Sequence, residues 1–481
     1  MQAKLALPKG PLQGSTAALL EAVGLGLADY TEKSRSYRPR CGRYQELFVK
    51  VFHEKDIAVQ VATGNYDLGI CGRDWIDELL VKYPSDAVVK VRDLGYGRKG
   101  LYVAASPSSG VVSLGEVRER WGRNGLRLVS EYPNLAESFA LKQRLGRVRI
   151  FPVWGAAEAY PPENAELALV SAPSQAEVQV MGLIPLATWE SSAYLIANKN
   201  SLERLDLSGL LGPFCRGGVG VGAGSPAPGG GAWRKPEVAH RDGSSIYLAL
   251  PDGHQQRHMV KYLERCGLKV HGYSQGNRRP SINMEGVVVK VIRPQDMPLQ
   301  VANQNFDLAI TGRDWLLDHK SRFPSSPVKE MLALGFGQVR VVAVVANDFA
   351  ASDMSGLREM AKRLPTLRVA SEYVNIADKF ARDNHLAPYK VIPTWGASEA
   401  FLPEDADLLV ENTETGATLA RHNLRIVETL FQSSACLIGN ANPPGDKVKM
   451  ERIARLVEVF RRAAPIGGGS VAPDSGASSD S

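Results

Sequence analysis

Short apolar or β-branched runs alternate with amphipathic stretches along both halves of the chain. In the first half, runs at 4–7, 47–52, 67–71, 100–105 and 127–129 predict strands, and stretches at 14–23, 54–63 and 135–145 predict helices between them. Strand and helix in alternation predict mostly parallel, helix-covered sheets. Each half is longer than one such sheet needs, so an α/β class with two lobes and a cleft per half is expected. Ligands of such folds sit at strand C-terminal ends and between lobes. Near the end, Met450, Ile453, Leu456, Val457, Val459 and Phe460 recur at helical spacing, which predicts a closing amphipathic helix over 447–462.

The halves repeat each other. Tyr66-Asp-Leu-Gly-Ile-Cys-Gly-Arg-Asp-Trp75 returns 240 residues later as Phe306-Asp-Leu-Ala-Ile-Thr-Gly-Arg-Asp-Trp315. Ser130-Glu-Tyr-Pro-Asn134 and Trp154-Gly-Ala156 return as Ser371-Glu-Tyr-Val-Asn375 and Trp395-Gly-Ala397, 241 residues on. That period exceeds the roughly 20–50 residues of a solenoid unit, so it marks a duplicated domain. Copy one covers 1–213 and copy two 244–464. The stretch 214–243, rich in Gly, Pro, Ala and Ser, reads as a flexible linker, and 465–481 reads as a disordered tail.

Composition narrows the class. The 44% hydrophobic and 22% charged residues are those of an ordinary globular protein. A net charge of +6 suits a phosphorylated anion, and with no basic stripe it argues against nucleic acid as a partner. Five cysteines without CxxC or metal spacing read as free thiols of a reducing compartment. No segment approaches the roughly 20 apolar residues of a membrane helix, and the N-terminus lacks a signal-peptide core. The expectation is a cytoplasmic protein with no membrane partner.

Four elements could carry chemistry. The first is Leu408-Leu-Val-Glu-Asn-Thr-Glu-Thr-Gly-Ala-Thr-Leu419, an apolar strand ending at Val410 and a helix starting near Ala417. Gly416 lets backbone N–H groups approach an anion, Thr415 and Thr418 offer hydroxyls, and Glu411 can accept from sugar hydroxyls. Helix capping alone would also use a threonine here. The second is Gly-Arg-Asp at Arg73-Asp74 and Arg313-Asp314, either a cleft cation for polyphosphate or an Arg–Asp helix cap. The third is Lys9 in Leu7-Pro-Lys-Gly10, where copy two reads Leu250-Pro-Asp-Gly253. The fourth is Asp93-Leu-Gly-Tyr-Gly-Arg98 against Ala333-Leu-Gly-Phe-Gly-Gln338, a predicted lobe-to-lobe crossover in which only copy one keeps Arg98. His254 and His258 lie four apart on a predicted helix without a third ligand, so no metal ligands of protein origin are assigned. Gly272-Tyr-Ser-Gln-Gly276 lacks the following helix that a nucleophile elbow needs.

In this order the elements resemble the catalytic domain of ATP phosphoribosyltransferase, the first enzyme of histidine biosynthesis. Copy one contributes Lys9, Asp67 to Asp74, Asp93 to Arg98 and Glu131 to Asn134. Copy two contributes Arg293-Pro-Gln-Asp-Met-Pro298, Asp307 to Asp314, Glu372 to Asn375, Glu411 to Leu419 and Ser434-Ala-Cys-Leu-Ile438. The resemblance implies two tandem type II periplasmic-binding-protein-like domains, with ATP and phosphoribosyl pyrophosphate as substrates and Mg2+ bound with the pyrophosphate. It places Glu411 toward the ribose hydroxyls and Thr413, Thr415, Gly416, Ala417 and Thr418 at the phosphoribosyl-pyrophosphate loop. Lys9, Arg98 and Arg313 become candidate catalytic cations, and Arg73, Asp314, Glu372, Tyr373 and Asn375 other cleft candidates.

Departures from the family pattern are complementary. Copy one has Val170, Gln175 and Glu177 where copy two has Glu411, Gly416 and Thr418, so its loop has lost glycine and hydroxyl and gained a carboxylate. Copy two has Asp252 for the lysine and Gln338 for the arginine. The sequence therefore predicts one working loop, in copy two, with copy one completing a pseudo-dimer or the chain forming a homo-oligomer. Neither copy is followed by the small regulatory domain of the family's long form, which leaves histidine feedback and a synthetase-like regulatory subunit as in the short form both open. A non-catalytic nucleotide-binding paralogue is the rival reading, and a solute-binding protein the third.

Overall fold

The computed structural model describes residues 3–216, 244–442 and 447–464. Most of the expected linker and all of the expected tail lie outside the described residues. The chain divides into two compact units, Met1–Arg241 with Val341–Leu430, and Asp242–Arg340 with Phe431–Ser481. The first unit thus holds all of copy one together with the second lobe of copy two. The other unit is the first lobe of copy two.

In the larger unit, the first lobe of copy one is a five-stranded sheet in the order Phe48–His53, Lys4–Lys9, Leu68–Gly72, Ala193–Asn198, Val88–Asp93. Its first three strands are parallel, but Ala193–Asn198 runs antiparallel to both neighbours. The second lobe repeats the plan with Val148–Pro152, Leu126–Ser130, Leu167–Ala172, Lys99–Ala105 and Ile184–Ser191. Half the pairings are antiparallel where mostly parallel sheets were expected. The reason is topological: the chain crosses to the second lobe and back, and the returning strand enters its sheet reversed. The glycines of the 93–98 element do mark a crossover. Gly95 and Gly97 hold φ of +77° and +63°, turning the chain from Val88–Asp93 in one sheet into Lys99–Ala105 in the other.

The third sheet, the second lobe of copy two, has the order Tyr389–Pro393, Leu367–Ser371, Leu408–Thr413, Val339–Ala346, Leu424–Ser433. The smaller unit has Val287–Ile292, Ile246–Pro251, Leu308–Gly312, Ala435–Asn440 and Val328–Ala333, with the closing helix at Lys447–Ala463. Together these lobes make two tandem domains of the type II periplasmic-binding-protein plan. Helix ends follow local rules. Pro133 opens Pro133–Lys142 at its first turn, and Arg144 at φ +51° stops it short of the expected 145.

One apolar core runs through the larger unit from copy one into copy two. Ala6, Phe52, Ile57, Tyr66 and Ile196 of the first lobe cluster with Val342, Val344, Phe401, Leu402 and Leu409. Phe52 meets Phe401 edge to face at 5.3 Å. Burying each such ring contributes roughly 1.5–3 kcal/mol. Inside this seam the fully buried Lys50 pairs with Asp405 at 2.6 Å and Glu404 at 2.8 Å. Tyr66 donates its hydroxyl to Asp405 at 3.2 Å, and Arg38 pairs with Glu404 at 2.9 Å. An ammonium without those carboxylates would not tolerate that position.

Candidate functional site

The copy-two loop grows out of the central strand Leu408–Thr413, which runs three residues past the expected end at Val410. Thr413 accepts the Gly416 amide at 2.9 Å and Thr415 the Ala417 amide at 3.3 Å. Gly416 takes φ +80°, so the chain widens before the helix Ala417–Arg421 begins. That helix has five residues, too few aligned peptides to present much of a dipole to an anion. What remains is an exposed turn presenting Thr415, Ala417 and Thr418 to solvent.

Beside the loop lie three carboxylates. Ser398 donates its hydroxyl to Glu411, and the Asn412 amide donates to the other Glu411 oxygen at 2.9 Å. Burial, with Glu372 and Glu399 nearby, holds the Glu411 carboxyl well above the ordinary range. Burial and Glu399 push Glu372 upward as well. Tyr373 secures this corner, since its hydroxyl accepts from Asn412 Nδ2 at 2.6 Å while Ser371 Oγ accepts its amide at 2.9 Å. Asn375 stands in the first turn of the following helix, Val374–Asp383.

Lys9 of copy one reaches this same lobe. Its ammonium donates to the Tyr37 hydroxyl at 2.8 Å, and that hydroxyl lies 3.5 Å from Glu399 Oε2. Tyr37 also packs on His422, just beyond the loop helix, with ring centroids 4.6 Å apart. The other candidate cations are placed differently. Arg73 pairs with Asp77 at 3.1 Å along its own helix, and Arg313 is gripped by Glu330 through Nε at 2.8 Å and Nη2 at 2.9 Å. Neither arginine caps a helix through the aspartate that follows it. Asp74 and Asp314 instead accept from Ser191 and Ser433, each at 3.0 Å. Arg98 is exposed and makes no hydrogen bond or ion pair among the described residues. In copy two, Asp252 pairs with Arg278 at 2.7 Å and Arg293 at 3.3 Å.

Sequence reasoning missed Tyr37 and Glu399. The second was visible, because each repeated Trp-Gly-Ala is followed two residues on by a glutamate, Glu158 and Glu399. In copy two the left-handed Ala397, at φ +54°, starts the short turn Ser398–Phe401 that carries both Ser398 and Glu399 beside the loop.

Four mixed sheets of one strand order and an acid–threonine–glycine loop at the end of a central strand define the class: a duplicated α/β protein of two-lobed domains. A family model for ATP phosphoribosyltransferase matches residues 53–211 and 293–462, and the chain belongs to that family. One matched segment falls in each copy, as a tandem duplication requires. An ATP phosphoribosyltransferase of Prosthecochloris aestuarii is 32% identical over 218 residues, 45% of this chain and 71% of the relative. One from Pelotomaculum thermopropionicum is 29% identical over 226 residues, 45% of this chain and 73% of its own length. The ATP phosphoribosyl transferase (HisG:HisZ) complex from Thermotoga maritima aligns at 21% identity and a TM-score of 0.37, over 45% of this chain and 98% of that one. No helix among the described residues is long and apolar enough to cross a membrane.

Proposed function

We propose that this chain is an ATP phosphoribosyltransferase with one working sugar-phosphate loop, that of copy two, served by copy one across the seam. The observation that carries the reading is the approach of Lys9 and Tyr37 to Glu399, beside Glu411 and the loop. The family's lysine is missing from copy two, and copy one supplies an ammonium at the loop-bearing lobe instead.

In the reaction, the lone pair of adenine N1 forms a bond to C1 of phosphoribosyl pyrophosphate. The C1–O bond breaks and its electron pair leaves with pyrophosphate. No covalent enzyme intermediate and no proton transfer are required, so the protein contributes alignment and charge. Glu411, held by Ser398, would accept from the ribose hydroxyls. Thr413 keeps the turn open, while Thr415, Thr418 and the amides beside Gly416 would take the 5′-phosphate. Among the described residues no group of three or more His, Cys, Asp or Glu side chains could hold a metal ion. Mg2+ would arrive on the substrate's pyrophosphate, as this ion commonly does, and offset charge on the leaving group.

A Thr415→Val/Thr418→Val variant tests the assignment. Pyrophosphate release by the purified single chain should fall about a hundredfold, as expected when oxyanion donors are removed. Undiminished turnover would sink the copy-two loop as the site. The regulatory-paralogue reading keeps one observation in its favour, Asp252 occupying Arg278 and Arg293. Calorimetric binding of both substrates without pyrophosphate release by the wild type would select it.

A further inference from the structure

Backbone geometry fixes which residues of copy two correspond to Lys9 and Tyr37. The Val51 amide donates to the Tyr37 carbonyl at 2.9 Å, and the Val291 amide donates to the Arg278 carbonyl at 2.9 Å. Val51 pairs with Leu7 and Val291 with Leu250 in equivalent parallel registers, two residues before Lys9 and Asp252. The couple Lys9/Tyr37 in copy one is therefore Asp252/Arg278 in copy two. Copy two closes its couple into an ion pair at 2.7 Å. Copy one does not. Its phenol accepts from the ammonium at 2.8 Å, with the ammonium also 4.7 Å from the ring centroid, and keeps its own proton for a neighbour.

That neighbour is Glu399. We propose that Tyr37 is a positioning residue for the copy-two loop, accepting from Lys9 and donating to Glu399 so that the cation of one copy is tethered beside the acids of the other. The inference rests on the sugar-phosphate reading of that loop. Its physical motive is charge. After burial, Glu399 helps to raise the Glu372 carboxyl and both help to raise that of Glu411, and a phosphorylated substrate adds more negative charge to the same corner. An ammonium on a four-carbon stem offsets this only if it stays there, and lysine by itself loses rotamer entropy to do so. Tyr37 is buried, its ring held against His422 and its carbonyl bound by Val51, so the tether is already ordered. Phenylalanine could hold the ring position but could not pass the hydrogen bond. Arginine, the copy-two residue, could not accept from lysine.

The test is calorimetric titration with Mg2+–phosphoribosyl pyrophosphate, beside steady-state kinetics, on wild type, Tyr37→Phe, Lys9→Met and the double variant. Each single change should weaken affinity about tenfold, the size expected for a hydrogen bond to a charged group. It should raise KM for that substrate far more than it lowers kcat. The double variant should be no worse than Lys9→Met, because both changes break one chain of hydrogen bonds. Wild-type affinity in Tyr37→Phe, or effects that multiply in the double variant, would overturn the tether and leave the proposed function standing. A wild type that binds no phosphoribosyl pyrophosphate would overturn the loop assignment, and the tether with it.

Discussion

Strands Leu167–Ala172 and Leu408–Thr413 occupy the same place in their sheets, yet the turns that follow them diverge. In copy one Ser174, with an extended backbone at φ −153°, caps the helix Gln175–Val180 directly and accepts the Glu177 amide at 3.3 Å. In copy two the left-handed Gly416 delays the helix by one residue, and the hydroxyls of Thr413 and Thr415 hold the turn. Glycine in one copy and glutamine in the other thus separate an open turn from an ordinary helix cap. The scaffold is the same on either side of that difference, and the groups the turn offers are not.

The residues that line the cleft of copy one differ from their copy-two counterparts in the same sense. In copy one Lys99, on the second lobe, pairs with the buried Asp74 of the first at 2.7 Å. Tyr132 donates to Asp74 at 2.7 Å, and Lys55 pairs with Glu131 at 3.3 Å. Glu78 accepts the amides of Asn134 and Leu135 at 2.9 and 2.8 Å. Copy one has filled its own cleft with complementary charge. Copy two has Val339 and Gln295 in place of Lys99 and Lys55.

The contrast can be broken at its base by Asp405→Ala. Lys50 would keep only Glu404, and the larger unit should lose about 3 kcal/mol, the cost of uncovering a buried charge, as read by chemical denaturation. An unchanged midpoint would mean that the seam is not a stabilising joint. Next, Thr418→Glu copies Glu177 into the working loop. Like charge against the 5′-phosphate should reduce phosphoribosyl pyrophosphate affinity about a hundredfold, whereas the mirror change Glu177→Thr should leave it untouched. Equal effects from both would erase the distinction between the copies. The smallest effect is a slope. Burial holds Glu54 at about 7 and keeps the Asp56, Glu372 and Glu411 carboxyls above their ordinary range. The folded chain therefore binds more protons than the unfolded one from about pH 4.5 up to about pH 7, where Glu54 itself ionises, and stability should fall as pH rises through that window. Glu411→Gln should flatten the melting-temperature slope over it, and an unaltered slope would remove Glu411 from the set.

Much of the scaffold was legible because it is written locally. The alternation of 4–7, 14–23 and 47–52 gave elements that match Lys4–Lys9, Gln13–Ala22 and Phe48–His53 within two residues at each end. The loop was legible because threonines and glycine after an apolar strand leave few conformations. What could not be read was pairing at a distance. Nothing near Arg313 announces Glu330, and nothing near Lys50 announces Asp405, 355 residues away. Nothing in the sequence around Tyr37 announces the Lys9 and Glu399 that flank it in the fold. Its importance comes from what the seam brings to it.

The buried pair in the seam also bears on how the two halves can change. In a dimer of identical subunits, every mutation strikes both interfaces at once, so a residue serving two places answers to both. Here Lys50 has Asp405 as partner, while the position equivalent to Asp405 in copy one is Asn164. Joined in one chain, each half can drift without dragging its twin along. Duplication turns a symmetry constraint into two independent sets of choices, and the two loops, with Glu177 in one and Thr418 in the other, already differ.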